Sequence, residues 1–410
     1  MANIALATVE QINFTGAQGK TAQEIISKLT KHHYQKLIVD DEFSTDVFDN
    51  YIDSLDSLKS YFLQSDIDEF NFIKLTIDDA LLSGDLSPGF MIYNRFRYRM
   101  DQRLTENIRL LQSDYEFDFS NNETLLLDKE QRQWANSLAT ADDNWRKRVK
   151  DSLLRLLLSG KELQAARDLL IKRYETQLSQ LNQQDNEDVF QFFINALTGL
   201  YDPHTTYMSP RTLENFNISM SLSLEGIGAV LQREDEFTKI VRLVAGGPAE
   251  TSTDLRVGDK IIAVGQGKKG EITDVVGWRL DEVVALIRGK KDTLVRLEIM
   301  SGSMETAAKT EIITIVRDKV KLEEQAAKSE IIEIPSGDSP IKVGVIKVPA
   351  FYMDFEAYRK RDPNFKSSTR DVQQLLSDLL AKNVEGIILD LRNNGGGSLL
   401  EAITLTDLFI

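Results

Sequence analysis

The sequence predicts a multidomain α + α/β protein with a helical N-terminal domain, a small α+β domain, and an α/β domain that begins but does not close. Three observations carry this. Apolar residues recur at helical spacing up to about residue 210, where glycine and proline are scarce. Short alternating runs separated by glycine turns follow over 221–318, and a strand-helix-strand-helix pattern begins at 319. A chain of 410 residues is also too long for one ordinary domain.

In the first part, TAQEIISKLTKHHYQ over 21–35 places apolar residues on one helical face behind a Thr cap. DVFDNYIDSLDSLKSYFLQSDIDEF, VKDSLLRLLLSGKELQAARDLLIKRYETQLSQL and EDVFQFFINALTGL continue in that style, and their Leu-rich faces read as helix-helix core. His32 and His33 are adjacent and cannot both face one metal, so they read as surface residues.

In the middle part, GIGAVLQRE and FTKIVRLVA read as strands, Gly246-Gly247-Pro248 as a turn, and Leu255 to Ile262 as a turn into a strand. GQGKKGE reads as a hairpin tip. It lacks the Ser/Thr and the following helix of a phosphate loop. RLDEVVALIRG reads as a one-faced helix, and TLVRLEIM and KTEIITIVRD close the unit. In the last part, IKVGVIKV and EGIILDL read as buried strands, with DVQQLLSDLLAKN and SLLEAITLTDLFI as helices. A sheet of two parallel strands would leave an apolar edge uncovered.

Composition narrows the chemistry. The net charge of -15 repels phosphate backbones, so no nucleic-acid partner is expected. Without cysteine there is no thiol catalysis, disulfide or cysteine-bound metal. Of the three histidines (His32, His33 and His204), none sits where a Ser-His-Asp triad would need it, which favours a histidine-free mechanism for any hydrolysis. No transmembrane segment is expected, because no apolar run reaches eighteen residues. The start, MANIALATVEQ, lacks the charged and apolar regions of an export signal. It holds the small-x-small pattern Ala5-Leu6-Ala7 of a cleavage site and reads equally well as an ordinary N-terminus.

Two stretches carry function. In the middle part a strand with glycines at its start faces an apolar helix, a groove that can take a peptide as an added strand. Free backbone N–H groups at the glycines can receive a carboxylate. The second stretch is Asp390 to Glu401, DLRNNGGGSLLE. A strand running into a glycine loop before a helix presents N–H groups to a phosphate or to a developing oxyanion. It reads equally as a tight turn in which Ser398 caps the helix.

The residues 223–231 (SLEGIGAVL), 246–249 (GGPA), 257–262 (VGDKII) and 278–289 (WRLDEVVALIRG) together resemble a PDZ domain of the bacterial protease type. With FYMDF and GIILDLRNNGGGSLLEAITLTDLFI, and with DPHTTYMSP upstream, the chain is similar over most of its length to the long bacterial branch of the tail-specific, or carboxyl-terminal processing, serine proteases. The resemblance implies a domain division of 1–210 helical, 221–318 PDZ-like and 319–410 protease platform. It implies a serine endopeptidase with a Ser/Lys dyad and no metal or organic cofactor. Leu224, Gly226, Ile227 and Gly228 would bind a substrate tail and its carboxylate, and Val283, Val284 and Ile287 would wall the groove. Such walls imply protein or peptide substrates with apolar C-termini.

Gly396 and Gly397 resemble the oxyanion-hole glycines, either one supplying the N–H. An adaptor protein on the helical domain and a periplasmic location, with the export signal removed or omitted, also follow from the resemblance. The serine and lysine segments of the family do not occur in these 410 residues. The chain as written is therefore expected to be truncated before its dyad and inactive alone, and Ser398 is not expected to be the nucleophile. The alternative is a non-catalytic peptide-binding or scaffold protein that uses the PDZ-like groove.

Overall fold

The computed structural model describes residues 10–126, 128–301, 310–335 and 339–410, so Ala5-Leu6-Ala7 lies outside the described residues. The chain forms two compact units, Met1–Ser209 and Pro210–Ile410.

The first unit is helical: α1 (Gly16–His32), α2 (Asp41–Asp56), α3 (Gln64–Phe70), α4 (Ile77–Ser83), α5 (Ser87–Gln112), α6 (Leu138–Leu158), α7 (Leu163–Asn182) and α8 (Asn186–Thr198). Thr15 and Gln18 form a reciprocal capping box, so α1 starts a turn and a half before the Thr21 that the sequence suggested. Phe48, Tyr51, Phe70, Tyr93, Phe190 and Phe193 anchor one core. Leu104, Val149, Leu153 and Leu170 form a second seam along α5, α6 and α7.

The reading of His33 as a surface residue is corrected. Its Nε2 lies 2.7 Å from Asp202 and 3.2 Å from Thr205, because the chain bends at the end of α1 and turns the ring toward the loop after α8. Hydrogen bonds from Thr205 and the His204 backbone, and the contact with His33, hold the Asp202 carboxyl well below the usual range. The His204 side chain is exposed.

The loop before α6 is pinned by Glu123, which accepts hydrogen bonds from Arg146 and, at 2.6 Å, from Lys150. These partners pull the Glu123 carboxyl down to about 2. A depressed carboxylate contributes stability above its unfolded pKa and loses it as pH falls through its folded value. The clasp should therefore be intact at neutral pH and weaken from roughly pH 4.5 down to about 2. Carboxyl-carbon NMR titration should find the Glu123 midpoint near that lower value, and Arg146→Ala should return it toward the ordinary one.

The second unit opens with α9 (Pro210–Ser221) and β1 (Ser223–Gly226). The PDZ-like part then contains β2 (Ala229–Glu234), β3 (Phe237–Leu243), α10 (Pro248–Ser252), β4 (Lys260–Gln266), β5 (Ile272–Asp274), α11 (Leu280–Ile287), β6 (Leu294–Met300) and β7 (Thr310–Val316). Its antiparallel sheet runs β2-β3-β4-β6-β7, with β5 paired to β4. Alternation buries Ile261, Val295, Leu297 and Ile299 under Val283 and Ile287 of α11. Gly246-Gly247-Pro248 is more than a turn, because Pro248 at the first helical position starts α10. β8 (Asp318–Lys321) pairs antiparallel with β1 in a separate ribbon.

The remainder contains β9 (Lys328–Ile334), β10 (Ile341–Lys347), α12 (Phe355–Arg359), α13 (Ser368–Ala381), β11 (Gly386–Asp390) and α14 (Leu399–Thr406). Strands β10 and β11 are parallel with α13 between them in sequence, the crossover the sequence predicted. The expected pair of strands is corrected to three. β9 adds antiparallel to β10, and its exposed KSEIIEI lacks the clean alternation that would have marked it.

Candidate active site and peptide groove

The glycine loop is held from three sides. Asp390 ends β11 and accepts from the Arg392 backbone N–H at 3.0 Å and from its guanidinium at 2.9 and 2.8 Å. The guanidinium draws the Asp390 carboxyl down to about 2. Asn394 stitches the turn, its Nδ2 donating to the Val348 carbonyl at 2.9 Å and its Oδ1 accepting from the Gly396 N–H at 2.7 Å. Phe351 pairs with the loop as a short parallel bridge. Its N–H donates to the Gly396 carbonyl, and its carbonyl accepts from the Ser398 N–H, both at 2.8 Å.

These bonds separate the three glycines. Gly395 donates to the Pro349 carbonyl and Gly396 to Asn394, whereas among the described residues nothing accepts from the Gly397 N–H. Gly397 is exposed and adopts φ +140°. A Cβ there would run into the Phe351 carbonyl, so only glycine fits.

Ser398 is the N-cap of α14, 8% exposed, with its Oγ accepting from the Glu401 N–H at 3.4 Å and donating to the Met353 sulfur at 3.7 Å. Neither partner is a base. Ser398→Ala should cost about 1 kcal/mol, the ordinary value of a lost cap, in a urea melt.

Two residues that sequence reading passed over shape this loop. One is Asn394, whose signal was its place before a glycine run. The other is Glu401, 3% exposed, which accepts from Ser367 Oγ at 2.7 Å, Ser368 Oγ at 2.9 Å and the Thr369 N–H at 2.8 Å. Ser398-Leu-Leu-Glu401 has the spacing of a capping box, but the carboxylate caps the neighbouring α13 rather than its own helix.

In the PDZ-like part, β2 is an edge strand and α11 packs beside it. Gly226, Ile227 and Gly228 come together in the buried turn before β2. The carbonyls of Ile227 and Gly228 accept from Ala249 and Val244 at 2.8 Å, while among the described residues their N–H groups have no acceptor. Gly228 takes φ +75°, with Gly247 Cα and Val320 Cγ2 each 3.2 Å from where a Cβ would stand. Gly228→Val should therefore lower the affinity for a terminal peptide at least tenfold and cost about 2 kcal/mol of stability, measured by fluorescence titration beside a thermal melt.

The remaining predicted groove residues are placed differently. Val283 and Ile287 are 0% and 3% exposed and pack into the core on the sheet-facing side of the helix. Val284 is half-buried and keeps accessible surface. Leu224 is drawn into the β1–β8 ribbon and lines a cleft of about 620 Å³ shared with Leu213, Ile218, Arg288 and Phe355.

Three family models match the chain in series. The tail specific protease N-terminal domain matches residues 25–211, the PDZ domain 215–300 and peptidase family S41 342–410. The chain is 43% identical to the tail-specific protease of Haemophilus influenzae over 94% of its own length and 52% of that protein's. The chain is similar to tail-specific proteases over most of its own length. A carboxy-terminal processing protease of Bacillus subtilis, CtpA, is 31% identical over 59% of this chain and 46% of its own. The chain thus spans about half the length of these curated relatives. The PDZ domain of a carboxy-terminal protease from Vibrio cholerae, solved in complex with peptide, is 54% identical, covers 25% of this chain and 100% of its own, and has a TM-score of 0.24. The S41 match contains the glycine loop and the PDZ match contains β2 and α11. Among the described residues no helix is long and apolar enough to cross a membrane.

Proposed function

We propose that this chain captures apolar C-terminal tails of protein substrates through its PDZ domain, residues 221–318, and presents them to a serine endopeptidase platform that begins at 319. The observation that carries this reading is the pair of N–H groups at Ile227 and Gly228 that have no acceptor among the described residues, at the head of edge strand β2. A terminal carboxylate accepts from such groups while the preceding residues add as a strand. An apolar terminal side chain would then rest on the accessible surface of Val284.

In the platform, Gly397 is the oxyanion donor, because Gly396 has already spent its N–H on Asn394. The nucleophilic serine and the lysine base lie outside these 410 residues, and burial of that lysine would lower its pKa far enough for it to take the serine proton. Exposed Ile388, Leu399 and Ile403 on β11 and α14 are consistent with further polypeptide packing there. The helical domain, 1–210, is the place for an adaptor, and the setting is periplasmic. The buried, base-free Ser398 favours one further reading for the chain by itself, that of a peptide-binding protein without cleavage.

Incubating an unfolded substrate that ends in small apolar residues with chain of verified mass tests this by mass spectrometry. The substrate should bind and remain whole. Cleavage that disappears in Ser398→Ala would overturn the assignment of the nucleophile.

A further inference from the structure

The helical unit contains a second cavity of binding-site size. It measures about 450 Å³ and opens between α2, α5, α7 and α8. Its apolar lining comes from Leu55, Phe96, Met100, Leu181 and Phe192. Phe192 is 36% exposed and stacks on Tyr93, with ring centroids 6.2 Å apart. The polar lining consists of amides and the hydroxyls of Ser54 and Tyr93, with no charged side chain. In a chain with 28% charged residues, an uncharged pocket of this size stands out.

The amides have hydrogen-bonding capacity to spare. Asn50, in the lining, donates through Nδ2 to the Ala196 carbonyl at 2.7 Å, and its Oδ1 accepts from nothing among the described residues. Gln184 accepts from Tyr93 through Oε1, which leaves its Nε2 hydrogens. The side chains of Gln177 and Gln180, both exposed, make no hydrogen bond among the described residues. Side-chain amides carry the same paired donor and acceptor as a peptide group. An ion would lose hydration here without gaining a counter-charge, whereas an apolar side chain flanked by peptide groups fits both the lining and the rim.

We propose that this cavity binds an internal, uncharged segment of extended polypeptide, one apolar side chain seated against Phe192 and Met100 and its flanking peptide groups on the amides of Asn50, Gln180 and Gln184. The occupant is chain interior rather than chain end, because no cation or open N–H pair on the lining would take a terminal carboxylate. If the PDZ domain holds a substrate's tail, as proposed above, this site holds a stretch further upstream. It stands on the helical unit alone and does not require that reading.

The probe is a short peptide blocked at both ends, N-acetyl-Ala-Leu-Phe-Ala-amide, titrated into the full chain carrying ¹³C-methyl methionine. The expected result is a saturable shift of the Met100 methyl, unchanged by excess of a free-acid apolar peptide. Phe192→Ala and Gln180→Glu, both at exposed positions, should each weaken that binding about tenfold with the melting temperature little changed. A PDZ domain that fails to bind the free-acid peptide would leave this outcome intact, so the two readings fail separately. A silent Met100 methyl, competition by the free-acid peptide, or binding that survives both substitutions overturns the proposal. So does a site that responds only to a folded protein partner and never to the blocked peptide.

Discussion

Gly397→Ala is expected to destabilise the second unit by roughly 3 kcal/mol in urea denaturation, whereas Gly396→Ala should cost only about 1. Both glycines have positive φ, +140° and +87°, but their surroundings differ. A Cβ at Gly396 meets nothing within 4 Å, whereas at Gly397 it would strike the backbone carbonyl of Phe351. That carbonyl accepts from the Ser398 N–H at 2.8 Å, so it cannot move without breaking the bridge that places the loop. In a protease with its dyad assembled, displacement of the Gly397 N–H by that clash should lower kcat by about 10²–10³-fold with little change in peptide capture. Equal effects at the two glycines would contradict the assignment of Gly397 as donor.

Glu401→Ala is expected to be at least as damaging, roughly 3–5 kcal/mol, because it strands several buried donors at once. The carboxylate accepts at 2.7, 2.9 and 2.8 Å from Ser367, Ser368 and the Thr369 N–H, and so ties the first turn of α14 to the N-terminus of α13. A helix N-terminus favours a negative charge, so Glu401→Gln, which keeps an acceptor oxygen but loses the charge, should cost about half as much. Hydrogen exchange gives a local readout: the Thr369 amide should exchange faster in Glu401→Ala at denaturant concentrations where β10 is still protected. An unchanged Thr369 amide would show that Glu401 does not hold the α13 terminus.

Much of the fold was legible because periodicity and turn residues were strong. The Leu-rich faces of 149–181 gave α6 and α7, and EGIILDL ending on a glycine loop gave β11 and the entry to α14. β9 was missed because KSEIIEI is an exposed edge strand whose pairing with β10 is set by tertiary contact rather than by its own pattern. The glycines of LEGIG marked the turn before β2, where the Ile227 and Gly228 N–H groups have no acceptor among the described residues. RLDEVVALIRG is apolar at Val283, Val284 and Ile287 alike, and composition does not say which of these pack on the sheet; the structure buries Val283 and Ile287 and leaves Val284 half-buried. Gly395 to Gly397 were indistinguishable as letters. The amide of Asn394 and the carbonyl of Phe351, forty-odd residues upstream of the loop, separate them.

The central claim is that this chain recognises the terminal carboxylate of an apolar tail. The measurement that tests it most directly compares one fluorescent apolar peptide as the free acid and as the C-terminal amide, titrated against the same chain. The free acid should bind at least about tenfold tighter, the equivalent of about 1.4 kcal/mol, and Gly228→Val should erase that difference. Equal affinity for acid and amide would contradict carboxylate capture at Ile227 and Gly228.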